Sequence, residues 1–263
     1  MNSNLVVVRG AGDLATGILY ALKNFGYDVV AAELKNPSSI RRTVSLCEAV
    51  YENTYTVENV TAERSTPATI PSVLAAGRIP VVIDRDAKII ASLRPGIVVD
   101  ATIAKKNIGT TIDMAPMVIG VGPGFTAGSD VHAVVETKRG HMLGRVILKG
   151  AAEPNSGIPG VVNGYAMERV IYAPREGIIQ NIRQIGDHVE AGETIATVDG
   201  EAVTARISGT LRGLIRDGYH VTEGFKTADV DPRDNPSHCY TISDKARLIG
   251  FGVLLAIKML SQK

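Results

Sequence analysis

Residues 5–33, LVVVRGAGDLATGILYALKNFGYDVVAAE, decide the fold. Leu5 to Val8 is a short apolar run of the kind that makes a buried strand, and a glycine turn follows at once. Leu14, Ile18, Leu22 and Phe25 then recur at helical spacing, Gly26 closes the helix, and residues 28–33 supply a second strand ending in Glu33. Gly10, Gly12 and Ala15 fill the three positions of GxGxxG/A: the first for the tight turn, the second for backbone near a phosphate, the third for helix-on-strand packing. The helix start offers N–H groups and a positive dipole end to an anion, so Gly10, Gly12, Asp13 and Gly17 are candidate cofactor-binding positions. Asp13 suits the dipole but competes with a bound pyrophosphate. Glu33 is placed for a ribose hydroxyl, with a plain strand-end charge as the alternative.

Working outward, Arg41 and Arg42 are candidates to meet a phosphate, or else a solvated helix start. Strand and helix then alternate: strands at 54–65, 79–84 and 97–102, helices at 67–77 and 87–93, and a further strand at 117–121. This continues a doubly wound α/β pattern. Asp100, at the carboxyl end of its strand and followed by Lys105, Lys106 and Asn107, stands where open parallel sheets put ligands.

The segment 120–145, GVGPGFTAGSDVHAVVETKRGHMLGR, is a glycine-rich loop feeding a hairpin, with strands at 131–136 and 143–150. Gly122 and Gly124 are candidates for backbone approach to a ligand. Residues two apart on a strand share a face, so Asp130, His132 and Glu136 are expected to project together. His132, Glu136 and His141 are the candidate catalytic residues, and the bland reading is the wet face of a hairpin. Their ligand types also suit a metal, but the spacing is not diagnostic, and no metal site is assigned.

From Ala173 the chain repeats itself with an offset of 32: Gly177 and Gly209, Gly186 and Gly218, Val189 and Val221, Gly192 and Gly224. Each copy reads as short strands broken by glycine turns, and two such copies should pack on each other. The run APREGIIQNIRQIGDHVEAGETIATVDG resembles the biotinyl/lipoyl barrel-sandwich hybrid over about residues 170–231. Carriers of that fold modify a lysine at the joining hairpin turn. Here the turn is Val198, Asp199, Gly200, Glu201, so no lipoyl or biotinyl group is expected. Ser243 and Asp244 cap a final helix with an apolar stripe, in which Gly250 and Gly252 imply close backbone approach.

The expected architecture is therefore α/β: a Rossmann-like parallel-sheet domain at 1–125, a glycine-rich loop and hairpin region at 126–167, an all-β barrel-sandwich hybrid at 168–235 and a C-terminal helix at 236–263. The 263 residues carry 28 basic and 27 acidic side chains and no tryptophan. No basic stripe for nucleic acid, no disulfide framework from Cys47 and Cys239, and no membrane span or signal peptide is apparent, so a cytoplasmic protein is expected.

VVVRGAGDLATG, ELKNPSSIRRTVSLCEAVY, the 120–145 segment, PNSGIPG and ISDKARLIGFGVLLAI together resemble the accessory proteins of selenium-dependent molybdenum hydroxylases, relatives of the xanthine dehydrogenase accessory proteins. The resemblance implies maturation or cofactor loading of a molybdenum hydroxylase polypeptide, with molybdenum cofactor or a nucleotide as a phosphate-bearing ligand. An NAD(P)-dependent oxidoreductase and a non-catalytic scaffold are the alternatives, and a homo-oligomer is compatible with each.

Overall fold

The structure, a computed structural model, describes the backbone of residues 2–262 and the side chains of residues 4–262. It is α/β, with a large mixed sheet and smaller antiparallel sheets. By contacts the chain forms two units. The first takes the residues up to Pro37, then Ser45–Ser156 and everything from Ile242 onward; the second takes Ser38–Val44 and Gly157–Thr241. Residues 126–156 and the last helix thus belong with the parallel sheet, although the sequence reading set them apart.

In the first unit the order begins β1 (Asn2–Arg9), α1 (Asp13–Asn24), β2 (Asp28–Glu33) and α2 (Ala49–Glu52). It continues through β3 (Thr54–Val57), β4 (Val60–Ser65), α3 (Ile70–Ala75), β5 (Ile79–Ile83), α4 (Ile89–Leu93), β6 (Pro95–Asp100) and β7 (Met117–Val121). The strands β8 (Thr126–Ala127), β9 (Ala133–Val135), β10 (Val146–Ile147) and β11 (Gly150–Ala151) follow. Nine of these strands form one sheet in the order β10-β9-β7-β6-β1-β2-β5-β4-β3. All neighbours from β9 to β4 are parallel, and only the two outer pairs are antiparallel. Val6, Val7 and Val8 are 0% exposed, as expected for strands covered on both faces. The chain builds outward from β1 through β2 on one side, then returns to add β6 on the other. The strand order therefore reverses between β1 and β6.

The last helix, α5 (Asp244–Leu260), starts at Ser243, whose hydroxyl accepts from the Ala246 N–H at 3.2 Å. It lies along α1 in the same chain direction. A Cβ on Gly17 would sit 2.3 Å from the Ala246 carbonyl oxygen, and one on Gly250 2.4 Å from the Gly17 oxygen. Beyond this crossing, the Phe25 and Phe251 rings meet edge-to-face at 6.2 Å. Both helices therefore begin at the same edge of the sheet. Gly17→Val forces this crossing apart and is expected to cost about 1–3 kcal/mol or more by overpacking. A thermal unfolding midpoint equal to that of the parent protein would contradict this packing.

The second unit contains β12 (Val170–Tyr172), β13 (Gly177–Asn181), β14 (His188–Val189), β15 (Thr194–Val198), β16 (Glu201–Thr204), β17 (Gly209–Leu214), β18 (His220–Val221) and β19 (Lys226–Asp231). They form two four-stranded antiparallel sheets, β12-β19-β17-β14 and β16-β15-β13-β18. The 32-residue repeat is written into the pairing. Gly177 pairs with Val221 and Ile178 with His220, while Gly209 pairs with Val189 and Thr210 with His188. Each copy lends a short strand to the sheet of the other, so neither can bury Ile179, Ile195, Leu211 and Leu214 without its partner copy. Asp199 and Gly200 both take positive φ (47° and 86°), the type I′ geometry of a two-residue hairpin.

Asp231 anchors the end of β19. Burial pushes its carboxyl up, but hydrogen bonds from the Arg233 side chain and backbone and the Arg212 charge outweigh this and hold it at about 2. A depressed carboxyl contributes stability above its unfolded value and loses it as pH falls through the folded one. The second unit should lose about 2 kcal/mol between roughly pH 4 and pH 2 on this account. Asp231→Asn should flatten that slope in acid unfolding; an unchanged slope would assign it to other groups.

Candidate functional site

The loop Arg9–Asp13 stands at the carboxyl edge of the sheet, where β1 and β6 diverge. Gly10 has φ +99°, and its N–H donates to the Ala32 carbonyl at 2.8 Å. Ala11 donates to Glu33 Oε2 at 2.7 Å, and its carbonyl accepts from the Cys47 N–H at 2.8 Å. The loop is thus tied from both sides. Gly12, the N-cap of α1, has no side-chain cap. A Cβ placed on Gly12 meets no heavy atom within 4 Å, whereas one on Gly10 would lie 3.1 Å from the Ala101 oxygen. Of the glycines in the motif, Gly10 and Gly17 are closed by protein packing and Gly12 opens outward. Gly17 faces α5, so its role is helix packing and not ligand approach.

Glu33 holds two backbone N–H groups, those of Ala11 and Leu34, each at 2.7 Å. Burial raises its carboxyl above the ordinary glutamate value, against the pull of these bonds. It shapes the glycine loop, and each oxygen keeps capacity to accept again.

Asp100 does not face a ligand. It is 0% exposed, and Oδ2 receives Arg9 Nη1 at 3.0 Å and the Thr110 hydroxyl at 2.6 Å. Its Oδ1 accepts the Thr102 hydroxyl at 2.7 Å and the Thr102 N–H at 3.1 Å. Arg9 also bonds Thr110 and is itself 4% exposed. This ion pair ties β1 to β6 at the point where the sheet order reverses, and the sequence reading passed over Arg9.

Arg41 and Arg42 belong to the second unit, away from the role of gripping phosphate. Arg41 donates to the His238 carbonyl at 3.1 Å, and Arg42 Nε to the Leu214 carbonyl at 2.8 Å. Carbonyls of their own unit engage both guanidiniums.

Gly122 and Gly124 follow β7 with φ +82° and +109°. A Cβ on Gly124 would lie 2.6 Å from the Lys106 Cα, and one on Gly122 2.8 Å from the Thr137 hydroxyl oxygen. These glycines let three edge loops pack on one another.

His132, Glu136 and His141 do not form the expected working face. β9 covers only Ala133–Val135, with His132 before it and Glu136 after it, about 13 Å apart along extended chain. Positive φ at Gly140 and Gly144 holds the expected second strand in turns, so β10 is two residues long. His132 Nδ1 accepts from the Val118 N–H at 3.0 Å, which puts the ring proton on Nε2, and burial pushes the imidazole below its ordinary value. Glu136 is 2% exposed and accepts from the N–H groups of Thr137, Lys138 and Glu153, each at 2.7 Å. It orders a loop. His141 is exposed in the following turn. Asp130 accepts from the Thr126 N–H at 2.9 Å. Among the described residues no group of three or more His, Cys, Asp or Glu is placed to hold a metal ion.

Sequence reasoning also passed over Lys245. It is half-buried on the first turn of α5, at the edge where α1 also begins. Burial, then the Arg139 charge, pushes its ammonium below the ordinary lysine value, while Asp13, Glu136 and Asp244 pull the other way. Its only sequence signal is a cation just after a serine cap, which is too common to single out.

No protein-family model matches the chain. It is 46% identical over 257 residues, 97% of its length, to the uncharacterized protein YqeB of Escherichia coli (strain K12). The chain spans about half the length (48%) of that curated relative. Among solved structures it is matched to a succinylglutamate desuccinylase/aspartoacylase from Rhodobacter sphaeroides, at 15% identity over 86% of this chain and 84% of that one, TM-score 0.28. An aspartoacylase family protein from Mesorhizobium loti shows 13% identity over 88% and 85%, TM-score 0.26. The product-bound ectoine utilization protein EutE (DoeB) from Ruegeria pomeroyi shows 13% identity over 85% and 52%, TM-score 0.23. Structural likeness that slight carries no argument about fold or activity.

The accessory-protein resemblance is corrected by these findings. The matches are an uncharacterized relative and aspartoacylase or desuccinylase family structures, and none is described as serving a molybdenum hydroxylase. The maturation role and its molybdenum, selenium and xanthine dehydrogenase associations are therefore set aside. The oxidoreductase and scaffold alternatives gain no support from the same comparisons. No helix among the described residues is long and apolar enough to cross a membrane.

Proposed function

We propose that the chain binds a phosphate-bearing small molecule of the nucleotide type at the carboxyl edge of its parallel sheet. The observation that carries this reading is the open space over Gly12, at the start of a twelve-residue helix and beside the reversal of strand order. In a sheet of Rossmann-like order, that crevice is where ligands bind and where backbone N–H groups meet a phosphate. Asp13–Ala15 precede the first intrahelical bond, which runs from the Thr16 N–H to the Gly12 carbonyl at 2.7 Å, so helix geometry leaves their N–H groups pointing along the axis. Glu33 then stands beside the loop with lone pairs suited to ribose hydroxyls.

The test is a calorimetric titration of the protein with adenosine diphosphate (ADP), NAD⁺ and inorganic phosphate. Saturable binding of at least one nucleotide is expected; no heat of binding from any of the three at millimolar concentration would overturn the reading.

In this reading the second unit is a barrel-sandwich-hybrid-like module without a prosthetic group. An amide-linked group needs an amine at the hairpin turn, and residues 196–206 contain no lysine. The intact mass of protein purified from its native host should equal the sequence mass across this segment. An added mass mapped to residues 196–206 would contradict it.

A further inference from the structure

The last helix, α5, is apolar on two faces. Its inward stripe, with Ile249, Val253 and Ile257 at most 3% exposed, packs on α1, β7 and β9. A surface helix ordinarily turns a polar face outward. Here the outward positions are Asp244, Leu248, Phe251, Leu255 and Lys258, spaced by four, three, four and three residues, and every one is exposed. That spacing is a heptad seam, the pattern by which one helix packs along another. Leu248, Phe251 and Leu255 are 45%, 50% and 52% exposed, and Phe25, whose ring meets Phe251, is 63% exposed. Together these four leave on the order of 400 Å² of apolar surface in water, the size of the largest patch on an ordinary monomer. A standard interface takes about 800 Å² from each partner, a little over half of it apolar, so this patch matches the apolar part of one such interface.

We propose that two copies of the chain pair through this seam, α5 against α5, antiparallel about a two-fold axis at Phe251. The charges at the ends of the seam select the partner and its direction. Asp244 and Lys258 lie seven residues to either side of Phe251, about 10 Å along the helix axis. Antiparallel pairing sets Asp244 of each copy against Lys258 of the other, Leu248 against Leu255, and Phe251 on its own counterpart. Parallel pairing would stack Asp244 on Asp244 and Lys258 on Lys258, and like charges so placed oppose association. The seam is thus complementary to itself, as an isologous interface requires. Asp244 keeps capacity for this contact, since its two-point pair with Arg139 at 2.7 and 2.9 Å leaves the side chain 73% exposed. The charged pairs at the rim set direction, and burial of the phenylalanines and leucines at the centre supplies the affinity.

Sedimentation velocity of the full chain over a concentration series is the test. The parent should be dimeric by about 100 µM, with a dissociation constant in the micromolar range. Phe251→Asp sets two carboxylates together on the axis and should raise that constant at least about a hundredfold. Lys258→Glu, an exposed change in the last turns of α5, should weaken the dimer about tenfold at little cost to the fold, because it faces Asp244 of the second copy with a like charge. Asp244→Lys should weaken it likewise, while an equal mixture of Asp244→Lys and Lys258→Glu restores both attractive pairs and should recover association. A parent that stays monomeric at about 100 µM, or a dimer unchanged by both Phe251→Asp and Lys258→Glu, would overturn the proposal. Failure of the mixture to recover association would overturn the antiparallel pairing.

Discussion

Asp100→Ala should destabilise the first unit by about 3–5 kcal/mol, the usual cost of leaving one partner of a buried ion pair alone. Asp100 and Arg9 are 0% and 4% exposed, 3.0 Å apart, and the Thr102 and Thr110 hydroxyls complete the carboxylate's bonding. Removing the carboxylate strands a guanidinium between the two central strands and also frees the loop that Thr110 ties down. Removing both charges is a different perturbation. Arg9→Met with Asp100→Leu should recover most of the loss, because hydrophobic residues of similar volume often replace a buried pair without penalty. Urea unfolding followed by a probe in the first unit measures both. A loss below about 1 kcal/mol for Asp100→Ala would mean that water reaches the pair and that the network is not structural.

Gly12→Val should abolish binding of ADP while leaving the fold nearly untouched. The φ and ψ of Gly12, −69° and −172°, are open to any residue, and nothing in the protein lies within 4 Å of the added Cβ. The cost to stability is then limited to a poorer N-cap, under about 1 kcal/mol. The new side chain instead fills the volume over the helix start. A substitution at Gly10 would not separate these effects, since its φ of +99° strains any side chain. ADP binding by Gly12→Val at parental affinity, with parental stability, would move the site away from α1.

These two residues also mark how far the sequence could be read. Strand, glycine turn, helix and strand are local patterns, and they appear in the structure within about three residues of their expected positions. The 32-residue repeat was legible for a similar reason: equal spacing of glycines and valines implies equal turns, and the structure makes equivalent pairings between the copies, Gly177 with Val221 and Gly209 with Val189. Gly250 also behaves as its place in an apolar helix suggests, because only a missing Cβ admits the Gly17 carbonyl.

The polar residues were harder, because their partners lie far away in sequence. Asp100 meets Arg9 from 91 residues away, and Arg41 finds its carbonyl 197 residues on. Nothing local separates a carboxylate waiting for a ligand from one already saturated. Glu136 shows the same limit: its partners Thr137 and Lys138 are adjacent, but the third, Glu153, comes from beyond a run of turns. Lys245 was hidden in the opposite way. It looked like an ordinary helix-start cation, and only the fold brings it under the influence of the Asp13, Glu136 and Arg139 charges. The likeness of long motifs to a known accessory family was not borne out by the comparisons that followed.

The central claim, a phosphate site over Gly12, is tested most directly by following backbone amide resonances during an ADP titration. The account predicts saturable shifts at Gly12, Asp13, Leu14 and Ala15 with a single dissociation constant. Unmoved resonances there at millimolar ADP, or saturable shifts confined to residues 122–124, would contradict it.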